Sequence, residues 1–140
     1  MVITRDASAG QLVCYTFGQD ALAANQTDVQ LPVTIGEASQ AVTGYEAVWD
    51  GDIVAVGYSL SAAGSAGTLT IGATLAGTEP TASTITVTTA TDGYLRIKRG
   101  TIPVTAGQQI GSEITTDGSW NGTTADLATQ VYVLYRLEGI

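Results

Sequence analysis

The stretch AGTLTIGATL (66–75) decides the fold. Leu69, Ile71, Ala73 and Leu75 fall on one side, and Thr68, Thr70 and Thr74 fall on the other with Gly72 among them. Strict period two over this length is the pattern of a strand with one face in a core and one face in water. Threonine suits the outer face because its branched Cβ fits a pleated surface.

The same period extends outward in both directions. In DIVAVGYSL (52–60) the spacing places Val54, Val56, Tyr58 and Leu60 on one face, and SAAGSAG (61–67) reads as a turn. In STITVTT (83–89), Ile85 and Val87 point inward. In GYLRIKR (93–99), Leu95 and Ile97 point inward while Tyr94, Arg96 and Lys98 point outward. The link between these two ends in Asp92-Gly93, a tight-turn dipeptide. AGQQIGSEITT (106–116) turns Ile110 and Ile114 inward. TQVYVLYRL (129–137) is apolar on both faces, with Val131, Val133 and Tyr135 on one and Tyr132 and Leu134 on the other. Such a strand is central in its sheet or lies at a subunit interface.

The first half is less regular. QLVCYTF (11–17) is a strand. GQDALAANQTD (18–28) is a loop with room for one helical turn capped by Asp20. VQLPVTI (29–35) is extended, and Pro32 excludes it from the middle of a sheet. In all there are about eight or nine short strands and no helix of three turns. The expected fold is therefore all-β, a single sandwich and most simply a jelly roll, with an immunoglobulin-like sandwich as runner-up. Residues 1–35 are expected to supply an N-terminal arm and the first strand or strands, and 36–140 the sandwich body.

Composition removes several functional classes. The 140 residues contain no histidine and one cysteine, Cys14. Zinc and most transition-metal sites depend on those side chains, so no metal or other cofactor is expected, and triads built on imidazole are excluded. The formal charge is −8, with five Lys+Arg against 13 Asp+Glu. That balance argues against nucleic acid and anionic membrane as partners. MVITRDASAG lacks the apolar run of a signal peptide, so the chain is expected to be made in the cytoplasm.

Several constellations carry a chemical reading beside a plainer one. Glu46, Asp50 and Asp52 in YEAVWDGDI (45–53) could serve glycosidase chemistry or hold calcium, but Asp50-Gly51-Asp52 is better read as a turn. Threonines in T-x-T spacing at 68–70, 84–86 and 86–88 could match a regular surface such as ice or a polysaccharide, or could simply be good outward strand residues. Arg96, Lys98 and Arg99 hold three of the five positive charges at one strand end. They suit an acidic partner, or an edge strand guarded by charge. The matches to the N-glycosylation pattern at Asn25 and Asn121 are read as accidental. TTDGSWNGTTADL (115–127) concentrates Asp, Asn and hydroxyl groups, yet Asp117-Gly118 and Asn121-Gly122 are turn dipeptides. Asp117 fits an Asx-turn, Asp126 a cap before the last strand, and Trp120 either a lid on the sandwich or a contact on a loop tip. No residue is assigned a catalytic role.

The runs AVWDGDIVAVGYSLS, AGTLTIGATLAG and VTAGQQIGSEITTDGSWNGTTADLATQVYV, within residues 47–135, resemble small virion proteins of tailed bacteriophages. These are decoration (cement) or head-fibre-like proteins with a sandwich or jelly-roll body. The resemblance implies a structural protein on the capsid exterior, without catalysis. It implies contacts to the major capsid protein and to copies of itself, as a homotrimer. Leu12, Val13, Tyr15 and Phe17 would anchor the arm, and Arg96, Lys98, Arg99, Trp120, Tyr132 and Leu134 would complete the contact surface. A second reading is a fibre or adhesin module that binds a surface glycan through Trp49, Trp120 and nearby Asp and Asn.

Overall fold

The computed structural model describes residues 10–35, 38–39 and 42–137. Its strands are β1 (Gln11–Gln19), β2 (Gln26–Gln30), β3 (Thr34–Ile35), β4 (Ala38–Ser39), β5 (Tyr45–Glu46), β6 (Gly51–Leu60), β7 (Leu69–Leu75), β8 (Ile85–Val87), β9 (Asp92–Arg96), β10 (Pro103–Val104), β11 (Gln109–Thr116) and β12 (Leu127–Tyr135). The only helical element among the described residues is a single 3-10 turn, Thr81–Ser83.

The chain is an all-β sandwich of two antiparallel sheets. Sheet A runs β1-β12-β6, with β9 and β10 both pairing the far side of β6. Sheet B runs β2-β11-β7-β8, with β5 also on β11. Four pairings nest inside one another along the chain: β1 with β12, β2 with β11, β6 with β9, and β7 with β8.

Period two explains which side chains fill the space between the sheets. From sheet A come Phe17, Ile53, Val56, Leu60, Val131 and Val133, and from sheet B Leu69, Ile71, Ala73, Ile110 and Ile114, all buried. β12 is central in sheet A, as its two apolar faces require. One polar link crosses the interior. The hydroxyl of Thr129 on β12 donates to that of Ser112 on β11 at 3.0 Å, and Ser112 donates to the carbonyl of Gly72 at 3.0 Å. Ser112→Ala is expected to cost about 1–3 kcal/mol, because it strands a buried hydroxyl. Adding Thr129→Val should recover part of that loss, which a double-mutant cycle in urea would measure.

Four expectations change. First, Val54 does not share a face with Val56. Opposite β12 the register steps from Tyr132–Ala55 to Val133–Ile53, which leaves Val54 as the extra residue of a β-bulge. Ile53 therefore takes the inward place, and Val54 and Ala55 both lie half-buried outside. Second, Asp92-Gly93 is not a hairpin turn. Both residues lie in β9, paired with Ser59 and Tyr58, because β8 and β9 belong to different sheets and their link must cross the sandwich. Third, residues 18–28 contain no helical turn, and Ala21 sits at φ 50° and Asn25 at φ 58°. Fourth, residues 10–35 are not an arm. β1 and β2 are body strands, and Phe17, Leu22 and Leu31 are fully buried. Pro32 does stay out of the ladder, and its carbonyl accepts from Gly18 N–H at 3.1 Å. The expectation for residues 1–9 lies outside the described residues.

Candidate interaction surface on sheet A

Four of the ten expected contact residues gather on the outer face of sheet A. Its registers align side chains in rows. One row reads Cys14, Tyr132, Ala55, Arg96, and the next reads Thr16, Gln130, Gly57, Tyr94. The outward residues of β6 are small (Ala55, Gly57, Ser59), whereas β9 and β12 on either side carry Tyr94 and Tyr132. A trough of about 580 Å³ follows along β6, bounded by Leu12, Tyr94, Arg96 and Tyr132. Leu12 is 57% exposed and Tyr94 71% exposed. Arg96 lies over the Tyr94 ring, 5.6 Å from its centroid, a cation–π arrangement that holds both side chains. Cys14 beside Tyr132 holds that phenol above its usual range.

Leu12, Arg96 and Tyr132 thus meet at one surface. Leu134 lies on the same face, opposite Leu12 in the register. Lys98 and Arg99 are exposed just beyond β9. Val13, Tyr15 and Phe17 do not belong to it. On β1 they alternate with Leu12 and Cys14 and pack inward against the core. Tyr15 and Phe17 meet Tyr45 with ring centroids 4.8 and 5.7 Å apart, and the Tyr15 hydroxyl is 2.6 Å from that of Tyr135. Sequence reasoning missed the floor of the trough. Its signal was the small residues two apart, Ala55, Gly57 and Ser59, which alternate with the inward Val56, Tyr58 and Leu60.

Trp120 is not a contact residue. It is 2% exposed, and its indole N–H donates to the carbonyl of Leu22 at 3.2 Å. The loop around it is built of turn bonds. Asp117 Oδ1 accepts from Ser119 N–H at 3.0 Å, the expected Asx-turn, and Oδ2 accepts from both the N–H and the hydroxyl of Thr68. The Thr68 hydroxyl and these N–H groups hold the Asp117 carboxyl below its ordinary range. This carboxylate adds stability above about pH 3.8 that is lost as pH falls through its lower folded value. Asn121 Oδ1 accepts from Ser65 and Ala66 N–H. Asp126 does not cap the turn before the last strand. It reaches back to accept from Ala21 N–H at 2.9 Å.

The other constellations are occupied too. Asp50 accepts from Ala106 N–H at 2.8 Å. Asp52, buried at the start of β6, accepts from Gly100 N–H and pairs with Arg136 at 3.3 Å. Gly51 and Asp52 are strand residues, not a turn. Among the described residues, no three His, Cys, Asp or Glu side chains are grouped to hold a metal ion. A glycan site using Trp49 with Trp120 is not assembled, because Trp120 has no free face, and Trp49 packs edge-on to Tyr135. Three of the five T-x-T threonines are engaged within the chain: Thr68 with Asp117, Thr70 with the Thr115 carbonyl, and Thr84 with Glu79. No protein-family model matches the chain, and a search of curated proteins finds no match either.

Proposed function

We propose that this is a structural virion protein. In this reading it is a decoration (cement) protein that sits on the outside of a tailed-phage head and stabilises it through subunit contacts, without chemistry. The observation that carries the reading is the trough on sheet A. An apolar, aromatic surface with one stacked arginine and a positive rim is the composition of a protein–protein contact rather than of a catalytic cleft. The nested strand pairings support a jelly-roll reading of the sandwich, and rolled sandwiches are common capsid building units. The partners in this reading are the major capsid protein and copies of the chain itself, as a homotrimer. Arg96, Lys98 and Arg99 favour an acidic patch on the partner, while the −8 charge of the chain keeps free copies soluble.

The test is co-sedimentation of purified protein with capsids of the phage that encodes it, with native mass measured in parallel. Tyr94→Asp with Leu12→Asp should lower capsid binding at least about tenfold while leaving the unfolding midpoint nearly unchanged, because both side chains are exposed. Wild-type protein that stays monomeric and does not sediment with those capsids would refute the reading.

A further inference from the structure

On the outer face of sheet B, away from the trough, two carboxyl groups meet. Glu113 on β11 is only 6% exposed, and its Oε2 accepts from Gln30 Nε2 at 2.7 Å. Glu79 follows the tight turn at residues 75–78, where Leu75 and Thr78 exchange backbone hydrogen bonds at 2.9 and 3.0 Å. Its side chain lies across Gly72 of β7, in the space a Cβ would fill, and its Oε1 accepts from the Thr84 hydroxyl at 2.6 Å. Glu79 and Glu113 line one hollow. Two ionised carboxylates offer only acceptors and repel each other, so their close approach is favoured when one of them carries a proton.

Asp28, in the middle of β2, faces the same hollow of about 540 Å³, which Gln30, Gly77 and Thr78 also line. On the neighbouring strand β7, Gly72 lies under Glu79 and Thr74 bonds Gln30, neither of them titratable, and among the described residues no Lys or Arg lines the hollow. Nothing there balances a second negative charge. Burial first, then the hydrogen bond and charge of Glu79 and the charge of Asp28, push Glu113 up to about 7, against the lowering effect of Gln30.

We propose that Glu79 and Glu113 form a proton-operated latch, in which a proton on the pair holds residues 77–79 down on sheet B and its loss lets Glu79 leave Gly72 for solvent. Both ends of the segment stay in place: Ala76 N–H donates to the Gln109 carbonyl at 2.8 Å, and buried Ser83 donates to the Pro80 carbonyl at 2.8 Å and accepts from Ala73 N–H at 3.1 Å. Opening exposes the Glu113 carboxylate beside the already exposed Asp28, as one anionic hollow. The linkage has a definite sign. The folded state keeps a proton that the unfolded chain releases, so stability falls as pH rises from about 4.5 to about 7 and is then level.

The latch is tested by carboxyl-carbon NMR titration of the whole protein, with amide exchange of Thr78 measured at about pH 5 and about pH 8.5 and corrected for intrinsic rates. The expected result is one proton lost from the pair near neutrality, and Thr78 protection at least about tenfold lower at the higher pH. Ser83 protection should not change. Glu79→Gln mimics the protonated carboxyl and should abolish the pH dependence of Thr78, and Glu113→Gln should do the same. Both carboxyls titrating below about pH 5 would overturn the proposal, as would Thr78 protection that is equal at the two pH values or a transition that persists in both variants.

Discussion

Trp120→Ala is expected to cost about 3–5 kcal/mol of folding stability. The side chain is 2% exposed and sits where three parts of the chain meet. Its ring lies against Gly64 of the β6–β7 loop and Gly122 of its own loop, and its N–H bonds Leu22 of the β1–β2 loop. Truncation opens a cavity the size of an indole and leaves the Leu22 carbonyl without its donor. Trp120→Phe separates the two effects: it keeps most of the packing and loses the hydrogen bond, for about 1–3 kcal/mol. Urea unfolding of both variants at one pH measures the costs. A loss under about 1 kcal/mol for the alanine variant would mean that the ring is not part of the core. If the chain binds capsids as proposed, variant protein that remains folded should bind them as well, because Trp120 lies outside the trough.

Gly67→Ala is the second large effect, expected at about 3 kcal/mol or more. Gly67 has φ +79°, a conformation that L side chains rarely adopt. An alanine Cβ there would overlap the backbone nitrogen of Trp120 and lie 2.5 Å from the carbonyl carbon of Ser119. The cost is therefore conformational and steric together. The loops at 61–67 and 117–122 would have to separate, which strains the bonds from Asn121 N–H to Ala66 and from Asp117 N–H to Thr68. Gly77→Ala is the control. Its φ of +83° is similar, but nothing lies within 4 Å of the added carbon. It should cost only about 1–2 kcal/mol. Equal losses in the two variants, read from denaturation midpoints, would refute the close approach of the two loops.

These two positions show how far the residues alone could be read. TTDGSWNGTTADL announced its turns, and the Asx-turn at Asp117 is a local matter that two residues of backbone can specify. The burial of Trp120 is not local. The carbonyl it bonds is Leu22, and the glycines it packs on are supplied from 64 and 122, so its surroundings exist only after the strands between have paired. The same holds for Asp126 and Ala21, and for Glu79 over Gly72.

Alternation along 66–75, 106–116 and 129–137 determined which residues face the core and that the chain is an all-β sandwich, because side-chain direction in a strand has a period of two. It could not determine which strands are neighbours. β8 and β9 are adjacent in the chain yet lie in different sheets, and Asp92-Gly93 therefore became strand rather than turn. Nor could it show the bulge at Val54, which depends on how β6 meets β12. That one extra residue turns Val54 outward beside Ala55, along the trough between Tyr94 and Tyr132. Facing direction is set by each strand's own backbone. Pairing, bulges and the meeting of loops are set by the partner strand, and only the tertiary structure supplies it.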